Sequence, residues 1–193
     1  GRRPIIFFST MVPASGTAPP PGSETLDVGG WQVVVADGHA VLPEGMAHLP
    51  DWAFRHRASL VSVACPSSLV SIGVGAFYGC SSLVSIDLPA TLTSIGDGAF
   101  WGCSSLSSVT FPAGITSIGH HAFEGCSSLS SVTFPAGLTS IGNWAFYGCS
   151  RLSRPIVPTT ATIRLAAFEP TTTILRLPPA RMHWYEAVDG ALA

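Results

Sequence analysis

Cysteine, histidine and the large aromatics are the residue types in this chain that could carry chemistry, and their spacing decides which chemistry is open to them. The five cysteines, Cys65, Cys80, Cys103, Cys126 and Cys149, raise disulfide, zinc-site and nucleophile readings. No C-x-x-C pair occurs, and an odd count leaves no complete disulfide framework. Four of the five recur at intervals of 23 residues, which places them in one column of a stack of like units. Neighbours in such a column sit about 5 Å apart, within reach of a disulfide, yet both side chains point inward in parallel. The reading that fits is a buried ladder of free thiols behaving as small hydrophobes, with Cys65 also in the core.

Six histidines include one adjacent pair, His120 and His121. Adjacent residues in a tight turn do not chelate an ion without a third ligand, and only a column of Asp97, His120 and Asn143 offers one. The competing reading is a solvent-exposed pair that binds nothing. Serine is abundant, but it recurs with the repeat and no G-x-S-x-G elbow appears, so nothing prepares a nucleophile. No enzyme, no cofactor and no bound metal are expected.

These residues are positioned by an internal repeat. Segments beginning at Leu60, Leu83, Leu106 and Leu129 share the pattern L-x-x-[VI]-x-[CLF]-P-x-x-[LI]-x-x-I-G-x-x-A-F-x-G-C-S-[SR] over 23 residues each. A divergent unit precedes them at 37–59, and a shortened one follows from Leu152 to Thr173, with Ile174 to Pro178 as the strand of an incomplete last unit. A period of this size marks stacked supersecondary units, none of which buries its apolar face alone. Positions 1, 4 and 6 of the unit are apolar, so Leu83, Ile86 and Leu88 run through a short strand whose Ser85 and Asp87 face water. Proline at position 7 ends each strand because it has no N–H for a ladder. Glycine at position 14 is expected to take a positive φ at a corner. Leu83, Ile86, Leu88, Leu92, Ile95, Phe100 and Cys103 are expected to be buried.

Where the unit is free to vary, large aromatics appear. Position 16 carries Trp52, Gly75, Gly98, His121 and Trp144, and position 19 carries Arg55, Tyr78, Trp101, Glu124 and Tyr147. Tyrosine and tryptophan dominate many interface energies, so the two columns are candidate protein-binding anchors. The alternative is that they stack along the ladder and merely cover the turn. The strand face presents small polar side chains, with Asp87 and Thr110 as its candidate contacts. A second polar ladder at positions 11 and 12 runs through Thr93, Ser94, Thr116, Ser117, Thr139 and Ser140. Regular hydroxyls on a flat face suit a repetitive ligand such as a polysaccharide or ice, or they simply meet solvent.

Composition narrows the partners. Hydrophobic residues make up 47% of the 193 positions and charged residues 10%, so the chain folds around a core. Eleven acids face nine bases, all arginine, and between Leu60 and Ser150 the charges are Asp87, Asp97 and Glu124. That stretch has no cations to neutralise phosphates, so nucleic acid is not expected as a partner. Apolar runs such as Ile5 to Phe8 and Val33 to Ala36 fall far short of the roughly 20 residues of a spanning helix. Arg2 and Arg3 before Ile5 to Val12 have a faint signal-peptide character, although a truncated gene model or a fragment of a longer protein fits the start at Gly1 better. Residues 1–30 are expected to be a flexible segment rich in Pro, Gly, Ser and Thr. The solenoid is expected over 31–179, opened by a strand at Trp31 to Ala36. A capping segment at 180–193 fits a short helix with Met182, Tyr185, Val188 and Leu192 on one side.

The L-P, I-G, A-F and C landmarks, recurring in register four times, resemble the Treponema-type leucine-rich repeat, also called the BspA-like family. The resemblance covers about residues 37 to 178. It implies an α/β-type repeat solenoid, curved and non-catalytic, in a family associated with adhesion, protein binding and secreted or cell-surface proteins. The expected function is therefore a leucine-rich-repeat module for protein–protein interaction or adhesion. A carbohydrate- or ice-surface binder using the Ser/Thr ladders, or a structural fragment of a larger repeat protein, is the alternative.

Overall fold

A computed structural model describes residues 22–182. Each turn of the chain contributes two short strands joined by tight turns, and turns stack 23 residues apart until the last pairings, Ser140 with Thr162 and Ile156 with Leu175, where the offset shortens. The first ladder runs through His39–Val41, Ser62–Ala64, Ser85–Asp87, Ser108–Thr110, Ser131–Thr133, Ile156–Pro158 and Leu175–Leu177. Its pairings are parallel and in register, as in Ser62 with Ser85 and Val109 with Val132. It divides into a five-stranded sheet that includes the N-terminal strands and a four-stranded sheet beginning at Ser108. The second ladder, unanticipated as a sheet, is six-stranded and runs from His48–Leu49 through Ser71–Ile72, Ser94–Ile95, Ser117–Ile118 and Ser140–Ile141 to Thr162–Ile163. Proline sits between the two strands and its carbonyl accepts the N–H three residues on, as from Leu92 to Pro89 at 3.0 Å, which closes the corner.

The third side carries turns where an α/β-type repeat could place a helix; the helical residues described are 179–182 alone. Its backbone is nonetheless paired between turns. The N–H groups of Gly75, Phe77 and Gly79 donate to the carbonyls of Asp97, Ala99 and Trp101, and the same three bonds recur in the next turn from Gly98, Phe100 and Gly102. Stacking thus satisfies main-chain groups that a lone unit would leave to water.

The core is a set of side-chain columns. Phe54, Phe77, Phe100, Phe123, Phe146 and Phe168 stack at centroid separations of 5.5, 5.1, 4.8, 5.2 and 5.2 Å. Leu83, Ile86, Leu92, Ile95, Phe100 and Cys103 are buried as expected, whereas Leu88 is half-buried. Cys65, at the same position, is also half-buried, while Phe111 and Phe134 are buried there. Position 6 lies at the corner beyond the strand, and the longer phenylalanines close it by packing on each other at 5.6 Å and edge-on against the main phenylalanine column.

Two expectations about backbone are corrected. Glycine at position 14 has no positive φ; a Cβ on Gly96, Gly119 or Gly142 would meet backbone atoms of the preceding turn at 2.7, 2.9 and 2.7 Å. Close approach of main chains is the requirement. The left-handed positions are 16 and 20, held by Gly75, Gly98, Gly79, Gly102, Gly125 and Gly148 and also by Trp52, His56, His121 and Trp144. The second correction concerns the expected flexible segment, of which 22–30 is described. Ser23–Val28 is a strand paired antiparallel with Trp31–Ala36 through six residue pairs, and Gly29–Gly30 forms the turn with φ of 61° and 87°. Two positive φ values in a two-residue loop give a hairpin whose twist matches its strands. Val28, Val33 and Val35 are buried, so this hairpin covers the front of the stack. At the other end Met182 is buried; Tyr185, Val188 and Leu192 lie outside the described residues, as do Arg2, Arg3 and Ile5 to Val12.

Candidate interaction surface

The thiol column is structural. Cys80, Cys103, Cys126 and Cys149 are buried, unbridged, and donate S–H to the carbonyls of Phe54, Phe77, Phe100 and Phe123 at 3.0 to 3.2 Å. Burial pushes the Cys80 thiol up to about 11, partly opposed by Arg57, and the Cys65 thiol up to about 12, with Asp87 adding to the effect. The same desolvation raises Cys103 and Cys126. A thiol held this strongly protonated offers little thiolate at neutral pH for attack or metal binding.

Position 15 is a capping column. The Asp97 carboxylate accepts the His120 N–H at 2.7 Å, and His120 Nδ1 accepts the Asn143 N–H at 3.1 Å. Asp51 does the same for Val74 at 2.7 Å. These atoms, the conceivable metal column of the sequence, are engaged in joining turn to turn; no group of three or more metal-ligating side chains occurs among the described residues. His39 and His48 each lie 2.7 Å from a serine hydroxyl one turn on, Ser62 and Ser71. Both pairs are exposed, and no acid holds the other ring nitrogen among the described residues.

The aromatic columns at positions 16 and 19 run together along the turn side. Tyr78 and Trp101 stack face to face at 4.4 Å and 8°, with Trp52 and His56 edge-on to Tyr78 at 5.9 and 5.3 Å. The Arg55 guanidinium lies over both Trp52 and Tyr78, 5.0 and 5.6 Å from the ring centres. Farther along, His121 stacks on Trp144 at 5.0 Å and pairs through Nδ1 with the Glu124 carboxylate. Glycine makes the arrangement possible: a Cβ on Gly75 would strike the Trp52 ring at 2.1 Å. Trp52 and Tyr147 are 46% and 39% exposed, while Tyr78, Trp101, His121 and Trp144 are half-buried. The columns therefore both cover the turn and present surface.

Of the eight sequence-predicted contacts, six lie on this ridge and two do not. Asp87 and Thr110 are exposed on the strand ladder, a different side of the stack. Arg55 and His56 were missing from the candidates. The signal for Arg55 was available in the unit pattern, since it sits in the variable column at position 19 among aromatics, and His56 stands out as the residue that replaces the glycine of position 20. A cleft of about 200 Å³ lies elsewhere, between Ser130 to Phe134 and Leu152 to Ile156 beside Met182. It is smaller than the roughly 300 Å³ at which ligand pockets begin.

The repeat is shared with known proteins. Residues 47–174 match the BspA type leucine rich repeat region in six copies. A leucine-rich repeat protein of T. pallidum is 31% identical with a TM-score of 0.63, over 73% of this chain and 69% of its own. A leucine-rich repeat protein of Bacteroides ovatus is 29% identical with a TM-score of 0.57, over 72% of this chain and 42% of its own. A leucine rich cell surface protein of Faecalibacterium prausnitzii is 25% identical with a TM-score of 0.61, over 84% of this chain and 56% of its own. No curated protein sequence matches. Among the described residues no helix is long and apolar enough to cross a membrane. With its 23-residue turns, parallel ladders and columns of Leu, Phe and Cys, the chain belongs to the BspA-type leucine-rich repeat family.

Proposed function

We propose that this chain is a non-catalytic interaction module, serving protein binding or adhesion, whose contact surface is the aromatic ridge. The observation that carries this reading is the backbone at position 16. Trp52, His121 and Trp144 hold φ of 59°, 57° and 54°, where the same column in other turns holds Gly75 and Gly98. A side chain in that region costs about 1–2 kcal/mol. Bulky residues kept there, partly exposed on a rigid scaffold, are the form in which strain accompanies recognition.

The hydroxyl ladders support the carbohydrate or ice reading less well. Thr93 and Thr139 donate to the carbonyls of Val70 and Thr116 in the preceding turns at 3.2 and 2.8 Å, so these groups are engaged within the stack. Replacing Trp101 and Tyr147 by alanine should leave a folded chain and weaken an identified partner by at least about tenfold, or 1.4 kcal/mol. Titration calorimetry on the folded double variant decides it. Unchanged affinity moves the site to the strand face around Asp87 and Thr110, and unfolding makes the aromatics covers of the core.

A further inference from the structure

Among the described residues no group accepts a hydrogen bond from the Arg55 guanidinium. Other arginines with described partners use theirs within the fold: Arg57 meets both oxygens of Glu24 at 3.0 Å, and Arg176 donates to the carbonyls of Thr159 and Ala161. Arg55 is exposed and pairs with no carboxylate among the described residues, yet it is held in place by the faces of Trp52 and Tyr78. A guanidinium laid over an aromatic face keeps the N–H groups around its edge available, already oriented for a two-pronged contact with a carboxylate.

The neighbouring rings say what should flank that carboxylate. Tyr78 gives its ring to Trp101, stacked at 4.4 Å, and to the Arg55 guanidinium 5.6 Å from its centre, so beside Arg55 a sugar ring has no face of Tyr78 to lie on. Ring edges remain for apolar side chains and hydrogen-bond acceptors. Charge along the column argues against a polyanion as well. Position 19 holds one cation, Arg55, and three turns on a carboxylate, Glu124, where a polyanionic chain would call for repeated positive charge.

Resting on the ridge reading above, we propose that the Arg55 end of the ridge docks an acidic segment of a protein partner, a single Asp or Glu engaging Arg55 while its aliphatic or aromatic neighbours cover Trp52, Tyr78 and Trp101. The test is a random-peptide display library selected on the full chain. Enriched peptides should carry Asp or Glu beside an apolar residue and lose affinity as salt rises. They should bind R55Q at least about tenfold more weakly and bind R164Q, which alters another exposed arginine, like the unaltered chain. Selection without an acidic consensus, or equal affinity for R55Q, overturns the proposal. So does R55Q-sensitive retention of heparin in place of peptides, which would make the ligand a polyanionic saccharide. If binding falls in the W101A/Y147A variant but not in R55Q, the acidic-partner inference fails while the ridge reading stands; binding unchanged in both removes both.

Discussion

Cys80, Cys103 and Cys126 lie at 0% exposure, each donating S–H to a phenylalanine carbonyl, so ionising any of them means placing a charge in the core without water. Two expectations follow from that environment. Native alkylation followed by mass spectrometry should label them far more slowly than in denaturant, and rapid labelling of Cys103 or Cys126 would show the column facing solvent. The alkaline limb of stability should also report them. A thiol raised from 9.0 to about 11, as at Cys80, binds more protons folded than unfolded between those values, so stability is full below pH 9 and falls as pH rises toward 11. The chain contains no lysine, which leaves that range to thiols and tyrosines. Urea midpoints at pH 8 and 10.5 should fall more for the unaltered chain than for C80A; equal slopes would contradict the burial effect. Trp52 poses the opposite question. Glycine there relieves about 1–2 kcal/mol of backbone strain while losing an edge contact worth about 0.5–1.5 kcal/mol, so W52G should stay within about 1.5 kcal/mol of the unaltered chain. A larger loss would make the ring a structural cover.

Besides the hydrogen bonds between turns, a single turn is held by its neighbours through two devices, a filled column and a close main-chain approach. Phe123 sits between Phe100 and Phe146 at 4.8 and 5.2 Å and is fully buried. Phe123→Ala should cost on the order of 3–5 kcal/mol through lost burial and an unfilled cavity. A loss below about 1 kcal/mol in a reversible denaturant titration would mean the column is not packed there. Gly119→Ala probes the second device, since the added methyl carbon would meet the Asp97 N at 2.9 Å and backbone cannot yield cheaply. It should lose about 1–3 kcal/mol despite the ordinary φ. The period, strand position and core columns of this element were legible because they repeat four times in register. The role of position 14 was not, because a glycine required for a positive φ and one required for close approach look alike until the preceding turn is in place.

At the scale of the whole molecule the stack is nearly one-dimensional, each turn touching only its neighbours, so its ends should open first. The front is closed by the hairpin of Ser23–Val28 and Trp31–Ala36, where Val33 is 0% exposed. V33D buries an unpaired carboxylate in that cover. Hydrogen exchange should then quicken in the hairpin and the first turns while the turns around Phe123 and Phe146 keep their protection. Uniform exchange across all turns would mean the stack unfolds as one unit. Unchanged exchange would mean the hairpin is no part of the fold.

By itself the sequence determined the repeat, its period, the inward columns and the family, because a pattern written several times over averages out the ambiguity of any one strand. It also contained the Gly29–Gly30 hairpin signal, lost among the Pro, Gly, Ser and Thr around it. Tertiary structure alone decided the rest. Whether a variable residue is cover or contact depends on the turn above and the turn below. Gly75 leaves the space that Trp52 fills, Tyr78 joins Trp52 to Trp101, and their faces together fix Arg55. The second strand ladder came from the same source, since two-residue strands have too little alternation to be read locally and exist only through the pairs they make between turns.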